Sequence, residues 1–298
     1  MGSLWKQIYR YTHPRDYRHS ENLWPHVKIA RAPEGHIRSL VWKGRQIAIE
    51  DLTALRATHR DTLAIVATGP SVKRLDTQKL AQFSALGVNG AYHLRDRLAF
   101  QYYVIVDRDF VKNRQEVVRQ VVQDRDLLLF ITVHCLHDIL NMLGSDVVKC
   151  RLAIIEDVRH KVYQPLVEPS GYAAQSRHLA GLSLDAERRD IGFCRDIRCG
   201  VVDAGTVAYW ALQIAYYLGA QTVLLAGVDM TNFSAPRFYE SEADVMPSQL
   251  ESQFMSLIKP SFAHASRIMK EKNIVVYNLS PDSALGSEIF EKVSLNDL

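Results

Sequence analysis

Four polar residues stand where short apolar runs stop. Thr68 follows Leu63-Ala64-Ile65-Val66-Ala67, Asn89 follows Val88, Asp107 follows Val104-Ile105-Val106, and Asp229 follows Gly227-Val228. Such runs, rich in β-branched and aliphatic residues, suit strands buried on both faces of a parallel sheet. Open sheets of that kind take ligands at the carboxyl ends of their strands, so Thr68, Asn89, Asp107 and Asp229 are expected to converge on one crevice. Gly69-Pro70-Ser71 completes the first of these ends. The glycine lets backbone approach a ligand closely, and the helix start after it offers N–H groups to an anion. Pro70 has no N–H to give, and the spaced glycines of a dinucleotide fingerprint and the lysine of a P-loop are missing. Taken alone, the triplet reads first as a tight turn between strand and helix.

Other chemistries are thinner. Asp107-Arg108-Asp109 imitates the Asp-x-Asp motif of metal-dependent sugar transferases, in which a divalent cation neutralises a departing diphosphate. Helix capping explains the same residues without a metal, and none is expected. His264 precedes the last apolar run and is a candidate base, set against a capping or surface role. Cys194 and Cys199 lack the second pair that a zinc site would need. There is no Gly-x-Ser-x-Gly elbow and no His-Glu-x-x-His.

These residues need a scaffold, and its most legible part runs from Asp203 to Asp229. Ala, Leu and Trp occur all round the segment up to Leu218, which predicts a helix covered on most sides. Gly219 suits the left-handed residue past a helix end, and Thr222 to Val228 reads as a buried strand. From Asp61 onward, strands at 63–68, 86–89, 102–107, 127–133, 147–155 and 274–279 alternate with helices at 73–83, 113–124, 137–143 and 262–272. That alternation implies right-handed crossovers and an α/β fold, a mostly parallel sheet flanked by helices. Residues 61–298 form this domain, and residues 1–60 an irregular N-terminal extension with a hairpin around Lys43-Gly44. Residues 156–200 break the rhythm with prolines, glycines and basic residues that include Arg159, Lys161, Arg177, His178, Arg188 and Arg198. A long insertion of this sort reads as a lid or binding loop, or as a solvated positive loop.

Composition sets outer limits. The 298 residues are 23% charged and 47% hydrophobic with a net charge of +3, ordinary for a soluble domain and too weakly basic to argue for nucleic acid. The first fifty residues carry nine Lys or Arg against four Asp or Glu, among Trp5, Tyr9, Tyr11, Tyr17, Trp24 and Trp42. Such a mixture suits an anionic, half-wet surface, or a segment packed on the domain by its aromatics. No apolar window is long enough to span a bilayer and no signal-peptide core is present, so a cytoplasmic protein is expected.

Several segments together resemble the bacterial lipopolysaccharide core biosynthesis protein family. They are Gly192-Phe193-Cys194-Arg195-Asp196-Ile197-Arg198-Cys199-Gly200, the helix end Gln213 to Leu218, Val228-Asp229-Met230-Thr231, Pro236-Arg237-Phe238-Tyr239, Met246 to Leu250, and Val276 to Ser280. The likeness covers roughly residues 61 to 281. It implies a transferase that adds an extra Kdo (3-deoxy-D-manno-octulosonic acid) to the inner core. A more distant likeness, to bacterial CMP-sialic acid sialyltransferases, rests on Gly69-Pro70-Ser71, Ala204-Gly205 and Gly227-Val228-Asp229. This likeness implies a Rossmann-like sheet with a mobile lid, and both sugars are acidic 2-keto sugars activated as CMP esters.

The resemblance implies roles for residues. Arg237 and Tyr239 would receive the departing phosphate, and Ala204, Gly205 and Thr206 would hold the sugar carboxylate. Thr68, Gly69, Pro70, Ser71, Asn89 and Asp107 would line the nucleotide. His264 would be the base, with Asp229 or Asp107 as alternatives. The donor would be CMP-Kdo, with no separate cofactor and no metal, and the acceptor a lipopolysaccharide inner-core sugar, with peripheral contact at the inner membrane through the basic segments. Rival readings are a different nucleotide-sugar donor, such as CMP-sialic acid, or a catalytically silent binder of nucleotide or oligosaccharide.

Overall fold

A computed structural model describes residues 2–175, 179 and 181–298; Arg177 and His178, counted above in the basic insertion, lie outside them. Strands follow in chain order as β1 (Val27–Arg31), β2 (Ile37–Trp42), β3 (Arg45–Ile47), β4 (Thr62–Val66), β5 (Ser84–Val88), β6 (Phe100–Ile105) and β7 (Leu128–Ile131). They continue with β8 (Arg151–Ile154), β9 (Leu182–Leu184), β10 (Gly192–Cys194), β11 (Thr222–Ala226), β12 (Val275–Asn278) and β13 (Glu291–Lys292). The chain folds as two units, Met1–Ala54 with Val106–Val202, and Leu55–Ile105 with Asp203–Leu298. Neither follows the boundary expected near residue 60.

The second unit carries the parallel sheet read from the sequence, in the order β13-β12-β11-β4-β5-β6. Leu63, Ala64, Ile65 and Val66 are all fully buried, as a strand covered on both faces requires. The helix Val207–Leu218 buries ten of its twelve residues, which explains its apolar sequence all round. It ends at Gly219 in the left-handed region (φ 91°), whose N–H bonds the carbonyls of Ala215 and Tyr216. A methyl group there would also sit 2.9 Å from the Cα of Ala57. Gly219→Ala is therefore expected to cost about 1–3 kcal/mol, measured as a lower urea midpoint with an unchanged m-value.

One expected helix is broken. In place of 73–83 there are a 3-10 turn at Pro70–Arg74 and a short helix at Thr77–Leu80. The cause is Asp76, whose carboxylate accepts from the N–H groups of Gln78 and Lys79 and starts a new helix after an extended Leu75.

The first unit holds the parallel pair β7 and β8 with the helices Gln115–Gln123 and Val133–Leu143. Residues 1–50 are more regular than expected. A helix, Gly2–Thr12, ends before Pro14, and β1, β2 and β3 form an antiparallel sheet that turns at Lys43-Gly44, both at positive φ. This segment is built into its unit by polar contacts. Arg31 makes a two-pronged pair with buried Glu156, and the Tyr163 hydroxyl donates to the Val27 carbonyl over 2.7 Å.

The insertion has a small apolar core of Val158, Tyr172, Leu182, Cys194 and Val202. Several of its basic groups are matched within it, Arg159 by Glu168, Arg188 by Asp190 and Arg198 by Asp196, so it is less positive than its lysine and arginine count implies. Among the described residues no helix is long and apolar enough to cross a membrane.

Candidate active site

The chain leaves β4 for β5 and β6 on one side, then returns through β11 to β12 and β13 on the other. The strand order therefore reverses between β4 and β11, and a crevice outside their carboxyl ends is the expected ligand position of such a sheet. Val66 and Ala226 are level partners there, and the chains stay joined beyond them: the N–H of Gly69 donates to the carbonyl of Gly227 over 2.9 Å. Gly227 stands at φ 72°, and a methyl on Gly69 would meet both the Asp229 carboxylate and the Gly227 carbonyl. Glycine is needed at 69 for space and at 227 for conformation as well.

The polar cluster at this reversal is buried. Asp229 accepts from the Ser71 backbone N–H over 2.8 Å and, through its other oxygen, from the Ser71 hydroxyl. The Ser71 proton being spent on Asp229, Ser280 donates to the Ser71 oxygen over 2.9 Å. Asp229 thus clamps the two loops together. Both of its oxygens are engaged by Ser71, so as the alternative base it would have to release the Ser71 hydroxyl before taking a proton.

Two groups beside the cluster lack partners. Asn89 stands at positive φ after β5, its side-chain carbonyl buried with no hydrogen-bond partner in the protein. Asn278, fully buried at the end of β12, uses its oxygen on the Ser280 N–H and leaves its amide nitrogen unmatched. A buried acceptor and a buried donor left open on one sheet edge are costly unless a ligand meets them.

The loop after Asp229 returns to the same edge. The N–H of Phe238 donates to the Thr68 carbonyl over 3.1 Å, tying the loop to the end of β4. Tyr239 lies with its ring against Gly90, where any side chain would overlap it, and stacks on His93 at 4.9 Å. Below it, the Tyr103 hydroxyl donates to the Asn89 carbonyl and accepts from the Tyr92 N–H. Burial raises the Tyr103 phenol well above its ordinary pKa, so it keeps that proton. Arg237 pairs with Glu240 over 2.7 Å; the glutamate side chain is fully buried and the arginine a quarter exposed. Arg237 therefore has one nitrogen committed to the fold, which the sequence did not indicate.

Ala204, Gly205 and Thr206 lead into the helix Val207–Leu218 as expected, and the Thr206 hydroxyl makes no capping bond. The space above Gly205 is not open, however. The side-chain amide of Gln253 lies where a methyl group on Gly205 would sit, so a sugar carboxylate held at Ala204-Gly205-Thr206 would first have to displace it. His264 is neither a cap nor a surface residue. It is 5% exposed, midway along the helix Lys259–Glu271. Asp107 belongs to the first unit, where it caps the helix Arg108–Asn113 by accepting from the N–H groups of Asp109 and Phe110.

Among the described residues no three His, Cys, Asp or Glu side chains converge as metal ligands would. Cys135, Cys150 and Cys194 are buried thiols with pKa values pushed up to about 12 by desolvation, which removes them as nucleophiles. Sequence reasoning passed over Asn278, Ser280, Glu240 and Gln253. Asn278 ends a strand, as Asn89 does, and was legible by that rule; the others have no local signal.

The family described as 3-deoxy-D-manno-octulosonic acid transferase WaaZ matches residues 46–295. A probable 3-deoxy-manno-octulosonic acid transferase of Escherichia coli K12 is 25% identical over 255 residues, covering 80% of this chain and 84% of that protein. Its namesake in Salmonella typhimurium LT2 is 26% identical over 274 residues, covering 81% and 94%. Among solved structures, the sialyltransferase CstII from Campylobacter jejuni with cytidine-5'-monophosphate is 14% identical at a TM-score of 0.42, covering 78% of this chain and 85% of that one. A complex of CST-II with trisaccharide acceptor and CMP is 16% identical at a TM-score of 0.38, covering 79% and 87%. With most of its length matched, this chain belongs to the WaaZ family of 3-deoxy-D-manno-octulosonic acid transferases and is a glycosyltransferase.

Proposed function

We propose that the protein transfers Kdo from CMP-Kdo to a sugar hydroxyl of the lipopolysaccharide inner core, by a direct inverting displacement that needs neither metal nor separate cofactor. The observation that carries the reading is the buried polar cluster at the strand reversal, with its open acceptor on Asn89 and open donor on Asn278, in a chain of this family. In the step, the acceptor oxygen attacks the anomeric carbon as the bond to phosphate breaks. CMP leaves with the electron pair, and the acceptor proton passes to a base, for which His264 is proposed. A CMP ester releases one phosphate monoester, on which less charge develops than on a diphosphate, and Arg237 and Tyr239 would donate to it in place of a metal. Thr68 to Ser71 and Asn89 would line the nucleotide. The N–H groups at 204–206 would take the sugar carboxylate once Gln253 swings away.

Incubation with CMP-Kdo and a truncated core acceptor should add the mass of one Kdo residue to the acceptor and release CMP, with EDTA leaving the rate unchanged. Intact CMP-Kdo binding without product would identify a silent binder instead. A divalent-cation requirement abolished by Asp107→Ala would point to a diphosphate donor.

A further inference from the structure

A cavity of about 520 Å³ lies wholly within the first unit, well apart in sequence from the cluster above, and its walls include Trp5, Lys6, Trp24, Lys43, Arg108 and Lys112. That size is typical of a small-molecule site. Trp5 and Trp24 meet edge to face at 5.5 Å and are both half-buried, so each leaves part of an indole to the cavity. The wall also holds two carboxylates, but each is already neutralised. Asp138 is gripped by Arg108 through two bonds of 2.7 and 2.9 Å, and Glu21 by Arg10 through two of 2.6 and 2.8 Å.

Lys43 and Lys112 are not matched in this way, and Lys6 adds its positive field to the already paired Glu21. Lys43 lies over the Trp42 ring at 4.4 Å and donates to the neutral amide of Asn141. Lys112 has a single exposed contact of 3.3 Å with Asp109, an interaction worth little in water. His137 adds no charge: burial lowers its pKa to about 4, and the Trp42 N–H donates to its Nδ1. The cavity is thus cationic by its lysines and aromatic by its tryptophans. Two flat apolar faces beside several ammonium groups suit a sugar ring that carries carboxylate or phosphate.

We infer that this cavity binds an anionic oligosaccharide, seated on Trp5 and Trp24 and paired with Lys6, Lys43 and Lys112. The inference rests on the transferase reading only for the class of its ligand, a saccharide of the acidic, phosphorylated kind the acceptor carries, and it gives the cavity no part in the transfer step. The cations line a concavity rather than a flat face, which favours a saccharide over a membrane surface.

The test uses the full chain and a deacylated inner-core oligosaccharide with its carboxylates and phosphates intact, followed by calorimetry and tryptophan fluorescence. Wild-type protein should bind with quenched emission. Lys6→Ala/Lys112→Ala should weaken binding at least tenfold and flatten its salt dependence, with the melting temperature and CMP binding unchanged. Trp5→Phe should weaken binding while keeping the fold. The same oligosaccharide, dephosphorylated and carboxyl-reduced, should bind at least tenfold more weakly. Equal binding by the double lysine variant, or by the neutral saccharide, would overturn the inference. So would a variant that loses only its binding to phosphatidylglycerol vesicles. Loss of CMP-Kdo binding with this pattern intact would sink the donor assignment and leave the cavity standing.

Discussion

Tyr239→Phe is expected to lower kcat about 100-fold while acceptor KM stays within about threefold, because the phenol would donate only to charge that develops on the departing phosphate. The substitution removes one oxygen and keeps the ring that packs on Gly90 and His93, and a denaturant titration of the variant reports any stability the hydroxyl itself supplies. Arg237→Ala is a different experiment. It removes a phosphate donor, but it also takes away a guanidinium that pairs with the fully buried Glu240. The glutamate keeps the backbone N–H groups of Arg237 and Met246, so the stability cost should be about 1–3 kcal/mol rather than that of an isolated buried charge. A turnover assay beside a denaturant titration separates the two effects. Near-normal kcat in Tyr239→Phe would show that the leaving group is met elsewhere.

Asp229→Ala should destabilise the fold by about 1–3 kcal/mol and weaken CMP binding, since it leaves the Ser71 N–H buried without an acceptor while the Ser71 hydroxyl can turn to Ser280. Asp229→Asn keeps one acceptor oxygen and the same shape, and should retain at least a tenth of the turnover. A general base would behave oppositely: Asn in its place would keep the stability and lose turnover by about a thousandfold. Measuring melting temperature, CMP affinity and kcat on both variants decides between clamp and base.

The apolar runs at 62–66 and 222–226 and the buried helix 207–218 were legible because burial on both faces writes itself directly into residue type. Gly219 was legible for an equally local reason, as its conformation suits glycine. The rule that ligands sit at carboxyl strand ends placed Thr68, Asn89 and Asp229 on one edge of the second unit without any coordinates. Asp107 shows the limit of that rule, because the chain enters the other unit at residue 106 and its carboxylate serves a helix start.

Periodicity carries information over one or two turns, which is why Asp76 could split an expected helix only through a capping bond that competes with propensity. The amino-acid sequence by itself determined the α/β class, the strand ends and the family. Tertiary structure alone decided that Ser71 occupies Asp229 from 158 residues away, that Glu240 holds Arg237, that Gln253 covers Gly205, and that residues 1–54 group with 106–202. A hydrogen bond between residues far apart in the chain leaves no periodic trace, since its partners are selected by where the folded backbone brings them rather than by their neighbours in sequence.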